Sequence, residues 1–203
     1  MNTVYPPVFI SGPHGGGKST LVERLKNSAD LFLENDFDID FTVDFPSIAS
    51  LSHFERSLMR LYHRFFVANY AQSLAKANPE KVILTNRTVY DSEAYINVYK
   101  KLNWISEDQF QKLDLVLKNF TYRPYAIILN PSSEVIKNRL GKRRDEETRT
   151  NRDKIFKNED SDVFLENLHS YFESFRGKDN IIYIEDNDET AIQKIIAWIK
   201  TIK

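Results

Sequence analysis

The chain contains no cysteine, which removes disulfides, thiolate metal sites and cysteine nucleophiles and fits a reducing compartment. Net charge is also nearly absent, with 28 basic residues against 29 acidic ones. That excludes a broadly basic surface for a nucleic-acid polymer or an anionic membrane, so any anion site must be a local cluster. No apolar run approaches the ~20 residues of a membrane span. The opening residues Met1 to Pro7 are neither basic nor followed by such a run, so no signal peptide is expected. Internal repeats and low-complexity linkers are missing too. What remains is the expectation of a cytoplasmic protein with one domain over its 203 residues, enough chain to bury a core without covalent staples.

Short apolar runs alternate with helical periodicity. Val8-Phe9-Ile10, Lys81 to Thr85, Tyr125 to Leu129 and Ile181 to Ile184 read as buried strands. Phe37 to Phe45 alternates acids (Asp38, Asp40, Asp44) with apolar residues up to Pro46, which predicts a further strand. Helices are expected over 19–28, about 50–77, 89–101, 106–119, from Ser132 onward, over about 161–176 and over 189–200. This alternation predicts a three-layer α/β/α fold around a parallel five-stranded sheet, with ligands beyond the carboxyl ends of the strands.

The strongest motif is Gly12-Pro13-His14-Gly15-Gly16-Gly17-Lys18-Ser19, followed by Thr20, which satisfies G-x-x-x-x-G-K-[ST] between an apolar strand and a helix. Glycines let the backbone turn its N–H groups onto phosphate oxygens, and the helix aims its positive end at the same anion. Lys18 would then reach the terminal phosphates and the Ser19 hydroxyl would be a Mg²⁺ ligand. The motif predicts binding of ATP or GTP. His14 reads either as a phosphate contact or as an exposed loop histidine.

Two absences narrow the class. A base-reading Asn-Lys-x-Asp is missing, since Asn86-Arg87-Thr88-Val89 has neither the lysine nor the acid; this argues against a GTPase. The strand 81–85 ends in Thr85-Asn86 where a transport or motor ATPase ends in an acid. A compact kinase is left, dependent on ATP and Mg²⁺. Arg87, at a strand's carboxyl end beside the loop, can clamp a phosphate.

The segment Asn86 to Tyr95 resembles the Glu-Arg-Ser motif of deoxyribonucleoside kinases and the Asp-Arg-Tyr motif of thymidylate kinases, with Asn86 in place of their acid. The basic run after Asn130-Pro131 resembles the lid of the same group, placed at about 141–155. By position the resemblance makes Arg139 and Arg143 the lid arginines, with Arg144 beside them and Arg149 and Arg152 as lesser candidates. It puts Asn187, after the last strand, near the adenine. Such kinases are commonly dimers, so a homodimer is expected.

The acceptor is a small molecule, and proton chemistry divides the options. A nucleoside hydroxyl needs a general base, whereas a monophosphate is already anionic near neutrality and needs cationic clamps. Asp44, before Phe45-Pro46, either stands where deoxyribonucleoside kinases carry their base or lines a solvent face with Asp38 and Asp40, and Phe45-Pro46 also resembles thymidylate kinases. His53, Arg56, Arg60, His63 and Arg64 recur at helical steps as a basic stripe that either meets an anionic substrate or lies in solvent opposite an apolar face. Tyr62, Phe66 and Tyr70 either stack a base or fill the core. The expected activity is phosphoryl transfer to a deoxynucleoside or its monophosphate, thymidylate or a deoxypyrimidine nucleoside among them. A kinase of another metabolite and a nucleotide-binding regulator are the alternatives.

Overall fold

The computed structural model describes residues 4–37, 41–120 and 122–202. Strand β1 (Val8–Ser11) leads through the glycine loop into helix α1 (Lys18–Ser28), then β2 (Phe32–Glu34), α2 (Phe41–Asp44) and a 3₁₀ turn at Pro46–Ser50. Next come α3 (His53–Ala77), β3 (Val82–Asn86), α4 (Val89–Lys101), α5 (Glu107–Asn119), β4 (Tyr125–Leu129) and α6 (Ser133–Asp145). The chain ends with α7 (Asn151–Ile155), a second 3₁₀ turn (Lys157–Asp160), α8 (Asp162–Glu173), β5 (Ile181–Ile184) and α9 (Glu189–Ile199).

All strand pairs are parallel, in the order β2-β3-β1-β4-β5. Both faces are covered, as such sheets require. Val8, Ile10, Leu84, Ile127 and Leu129 pack with α1 and α9 on one side. Ala126 and Ile128 pack with α4, α5 and α8, and Phe9 and Ile83 with α3, on the other. The order reverses at β1, so its carboxyl end, where the glycine loop begins, lies at the sheet's switch point.

The second strand departs from the sequence expectation. Residues 41–44, read as part of an alternating strand, are helical, and the sheet's edge strand is Phe32–Glu34 instead. Asp38 and Asp40 lie outside the described residues. An edge strand pairs on one side only, so three residues suffice: Val82 N–H donates to Leu31 O at 2.9 Å and Asn35 N–H to Leu84 O at 2.7 Å. A segment that short carries too few residues for a period-two pattern, and the acidic alternation downstream imitated one.

Local signals start the other helices. Capping boxes pair Ser52 with Glu55, Thr88 with Asp91, Ser106 with Gln109 and Thr150 with Asp153, each cap worth ~1 kcal/mol. On α3 the structure decides between the two readings of each stripe. Arg56, His63 and Arg64 are buried, while Tyr62, Phe65, Phe66 and Tyr70 are exposed. The basic stripe is therefore no solvated surface, and the aromatic residues are not core.

Candidate active site

The glycine loop is shaped by its neighbour strand. Gly12 has φ 144°, and a Cβ there would lie 2.0 Å from the Leu129 carbonyl oxygen; only glycine fits between β1 and β4. Gly17 has φ 98°, and a Cβ on it would meet Arg139 Nη1 at 3.2 Å and Asn187 Nδ2 at 3.3 Å. Two residues singled out in the sequence thus flank the loop's last glycine. Arg139 Nη1 donates to Gly16 O at 2.7 Å, and Arg24 fixes Asn187 by donating to its carbonyl at 2.8 Å.

Lys18 folds back over the loop, its Nζ donating to Gly12 O at 2.9 Å and Pro13 O at 2.7 Å. Burial first, then the Arg87 charge, pulls its pKa well below the ordinary lysine value. An anion in the loop would relieve that cost, so the lysine favours a phosphate-bearing ligand. Ser19 and Thr20 are exposed at the start of α1.

Arg87 leaves β3 with φ 65°, a conformation that costs a non-glycine residue ~1 kcal/mol or more. Its N–H donates to Ile10 O at 2.8 Å, which holds the bend against β1. One turn on, Asp91 is buried and does several jobs. Its Oδ2 accepts from Ser11 Oγ and from Thr88 N–H, both at 2.7 Å, and its Oδ1 from Gly12 N–H at 3.3 Å. Arg87 Nη1 stands 3.5 Å from that Oδ1. One carboxylate thus joins the end of β1, the entry to the loop and the first turn of α4. Its mark in the sequence is Thr-x-x-Asp after a strand, a capping signature.

Beside the loop opens a cavity of ≈ 270 Å³. Arg60 and Arg64 of α3, Arg87, and Arg152 of α7 face it, together with Asp91 and Glu159. Tyr95 forms part of the wall and Phe156 another; the Arg56 and Arg60 guanidinium groups lie 4.7 and 5.2 Å from the Phe156 ring centre, a cation–π arrangement. Arg152 is the anchor of the α7 side. It reaches Glu159 Oε2 at 2.5 Å and Asp160 Oδ1 at 2.9 Å. Tyr99 donates to the other Glu159 oxygen at 2.7 Å.

Of the residues marked in the sequence, Lys18, Arg60, Arg64, Arg87 and Arg139 converge on the loop and cavity. Asp44 does not: it is exposed, on the short α2 rather than at a strand end, and outside the cavity lining. Tyr70 points outward and packs on Phe37, ring centres 4.8 Å apart. Arg143 turns from the loop to Asp153, 3.4 Å away. His14 is buried, not an exposed loop residue. Arg152, a lesser candidate in the sequence, occupies the cavity itself.

A phosphate loop at the switch point of a parallel sheet, with an arginine-lined cavity alongside, defines a P-loop kinase. The deoxynucleoside kinase family profile matches residues 8–175; the chain belongs to that family and is a nucleoside or nucleotide kinase. No curated protein sequence matches it. Among solved structures, it is similar to the deoxyadenosine kinase from M. mycoides with products dCMP and a flexible dCDP bound, at 17% identity over 97% of this chain and 100% of that one, TM-score 0.69. The same enzyme with dATP gives 16% identity, 96% and 99% coverage and a TM-score of 0.65. Thymidylate kinase from Candida albicans gives 15% identity, 98% and 92% coverage and a TM-score of 0.69. At these identities the likeness is one of fold.

Proposed function

We propose that the enzyme transfers the terminal phosphoryl group of ATP, with Mg²⁺, to a deoxynucleoside or its 5′-monophosphate. The observation that carries this reading is the meeting of the two sites: Arg87 lines the acceptor cavity while its backbone is bonded to the strand that opens the phosphate loop. Lys18 and Arg139 would hold the ATP phosphates, and Arg87 the phosphoryl in transit, by charge rather than covalent chemistry. Asn187 borders the adenine side, and Arg143 joins the lid, about 141–155, that closes over ATP.

The residues present fit a magnesium ion. Ser19 supplies a hydroxyl at the helix start, and Asn86 Oδ1 is buried at the end of β3 without a hydrogen-bond partner among the described residues. An amide oxygen there can accept from a metal-bound water where related kinases carry an acid. When bound, the ion would offset charge on the phosphates.

At ≈ 270 Å³ the cavity lies near the small end of ligand pockets, ~300–1,000 Å³, which suits a nucleoside-sized acceptor. Its charge favours the monophosphate, thymidylate or another deoxypyrimidine nucleotide. Four guanidinium groups face it, and its two carboxylates are already engaged, Asp91 by Ser11 and Thr88 and Glu159 by Arg152 and Tyr99. With Asp44 in solvent, a free nucleoside would lack an evident base. The test is ADP release from ATP–Mg²⁺ with thymidine, deoxycytidine, deoxyadenosine, dTMP and dCMP. Faster turnover of a monophosphate than of its nucleoside supports the charge argument; the reverse order overturns it. Tight ATP binding without turnover of any of the five would favour another metabolite as acceptor, or a regulatory protein. We place the enzyme in the cytoplasm, and the exposed aromatic face of α3 suits a homodimer, which sedimentation equilibrium would detect.

A further inference from the structure

His14 belongs to the phosphate loop, yet its ring is 97% enclosed (3% exposed) between α4 and the Lys157–Asp160 turn. Nδ1 lies 2.8 Å from the Tyr95 hydroxyl oxygen, and the His14 backbone N–H donates to that same oxygen at 3.3 Å. The Arg87 side chain interacts with Tyr95 in the same cavity wall. On the far side of the ring, Nε2 stands 3.1 Å from Asp160 Oδ1, off the line of a full hydrogen bond.

Proton positions follow from the count of donors. The Tyr95 oxygen accepts the His14 N–H, and the Arg87 guanidinium beside it has donors only, so neither can take the tyrosine proton. Its single proton must then be given away, and Nδ1 is the neighbour able to take it. Nδ1 is therefore bare, and the neutral ring carries its proton on Nε2, facing the Asp160 carboxylate. Burial, then the charge of Arg152, favours this neutral form over the protonated one, with Arg87 and Lys18 acting in the same sense and Glu159 against them.

We propose that His14 is a positioning residue: it fixes the Tyr95 hydroxyl, and through it the Arg87 guanidinium, and joins both to Asp160 in the turn behind the acceptor cavity. Asp160 is also held by Arg152, so the seating of residues 151–160 and the aim of Arg87 are set together. A histidine at this point of the loop lets the wall that receives the acceptor report to the arginine that handles the phosphoryl. The proposal rests on Arg87 acting in transfer, as read above.

Two replacements separate this role from mere packing. His14→Asn keeps an acceptor near the place of Nδ1, while His14→Phe keeps the ring, which packs on Phe164 at 6.2 Å between centres, and loses the acceptor. With whichever of the five acceptors wild type phosphorylates fastest, His14→Phe is expected to lower kcat about tenfold with KM for ATP within about twofold, and His14→Asn to keep most of the turnover. A packing role predicts the opposite order. Adding Tyr95→Phe to His14→Phe should cost little more than either alone, because both cut one chain. Turnover of His14→Phe within about twofold of wild type, or additive losses, overturns the proposal. Nitrogen-15 NMR of the wild-type imidazole gives a readout that needs no acceptor: an Nε2–H tautomer that shifts in Tyr95→Phe supports the chain, and an Nδ1–H tautomer overturns it. Absence of turnover with all five acceptors would count against the kinase substrate reading, and the NMR result would still decide the hydrogen-bond chain.

Discussion

Arg152 Nη2 and Glu159 Oε2 stand 2.5 Å apart, with the Glu159 side chain 1% exposed. Burial alone would raise the Glu159 pKa, but Arg152 chiefly, then Arg60, bring it down to about 2. A folded value below the ordinary 4.5 means that the pair's contribution is complete above pH ~4.5 and is lost as pH falls toward 2. The urea midpoint of wild type should therefore drop between pH 5 and pH 3. Glu159→Gln should flatten that dependence while lowering stability at pH 7 by roughly 3 kcal/mol, since Arg152 would lose a buried partner. Parallel slopes for the two proteins would contradict this account.

Gly12→Ala tests the loop's fit to the sheet. The added Cβ would overlap the Leu129 carbonyl, combining overpacking with a strained φ, each worth ~1–3 kcal/mol. At ~2–4 °C per kcal/mol for a chain of this size, a fall in Tm of roughly 4–24 °C is expected, together with loss of ATP binding. Calorimetry with and without ATP measures both.

Lys18→Ala removes the cation that now lies on two loop carbonyls. Its burial is costly in the absence of an anion, so the fold should survive nearly unchanged, with Tm within a few degrees. Turnover should fall by about 10²-fold or more, the scale for losing one charge stabiliser of a transition state. Full activity in this variant would rule out the proposed phosphate role.

Arg60→Ala addresses the acceptor side. The residue faces the cavity from α3 and lies over Phe156, remote from the carbonyls that Lys18 holds. Removal should raise KM for the acceptor about tenfold and leave KM for ATP within about twofold, a split that initial-rate kinetics resolves. An equal change in both constants would mean that the arginine supports the fold rather than the acceptor.

Much of this was legible in the chain because the signals are local. The glycine spacing, the apolar strands and the capped helices each lie within a dozen residues, and the sheet and the phosphate loop follow from them. Arg87 was readable for the same reason, as the residue after a buried strand. Asp44 was misplaced because its acidic alternation resembles a strand, while the actual edge strand at Phe32–Glu34 needs only three residues. Arg152, Asp91 and His14 gained their places through partners far away in sequence: Arg152 reaches the cavity only when α7 packs against α2, and His14 meets Tyr95 across 81 residues. Helical periodicity located the basic and aromatic stripes of α3 but could not say which faced inward. That was decided by Glu159 and Phe156, which arrive about a hundred residues later and give the arginines something to pair with.

The position of β1 at the centre of the sheet has a consequence for how the protein comes into being. Its neighbours are β3 and β4, and Val8 pairs in register with Leu84 on one side and Tyr125 on the other. Made first, the strand waits for both, and the carbonyl of Leu129 that shapes Gly12 belongs to the later of the two. The glycine loop therefore lacks the wall that shapes it until β4 has been made. Contacts this distant along the chain form slowly, so the loop takes its final shape late, when the fourth strand closes on the first.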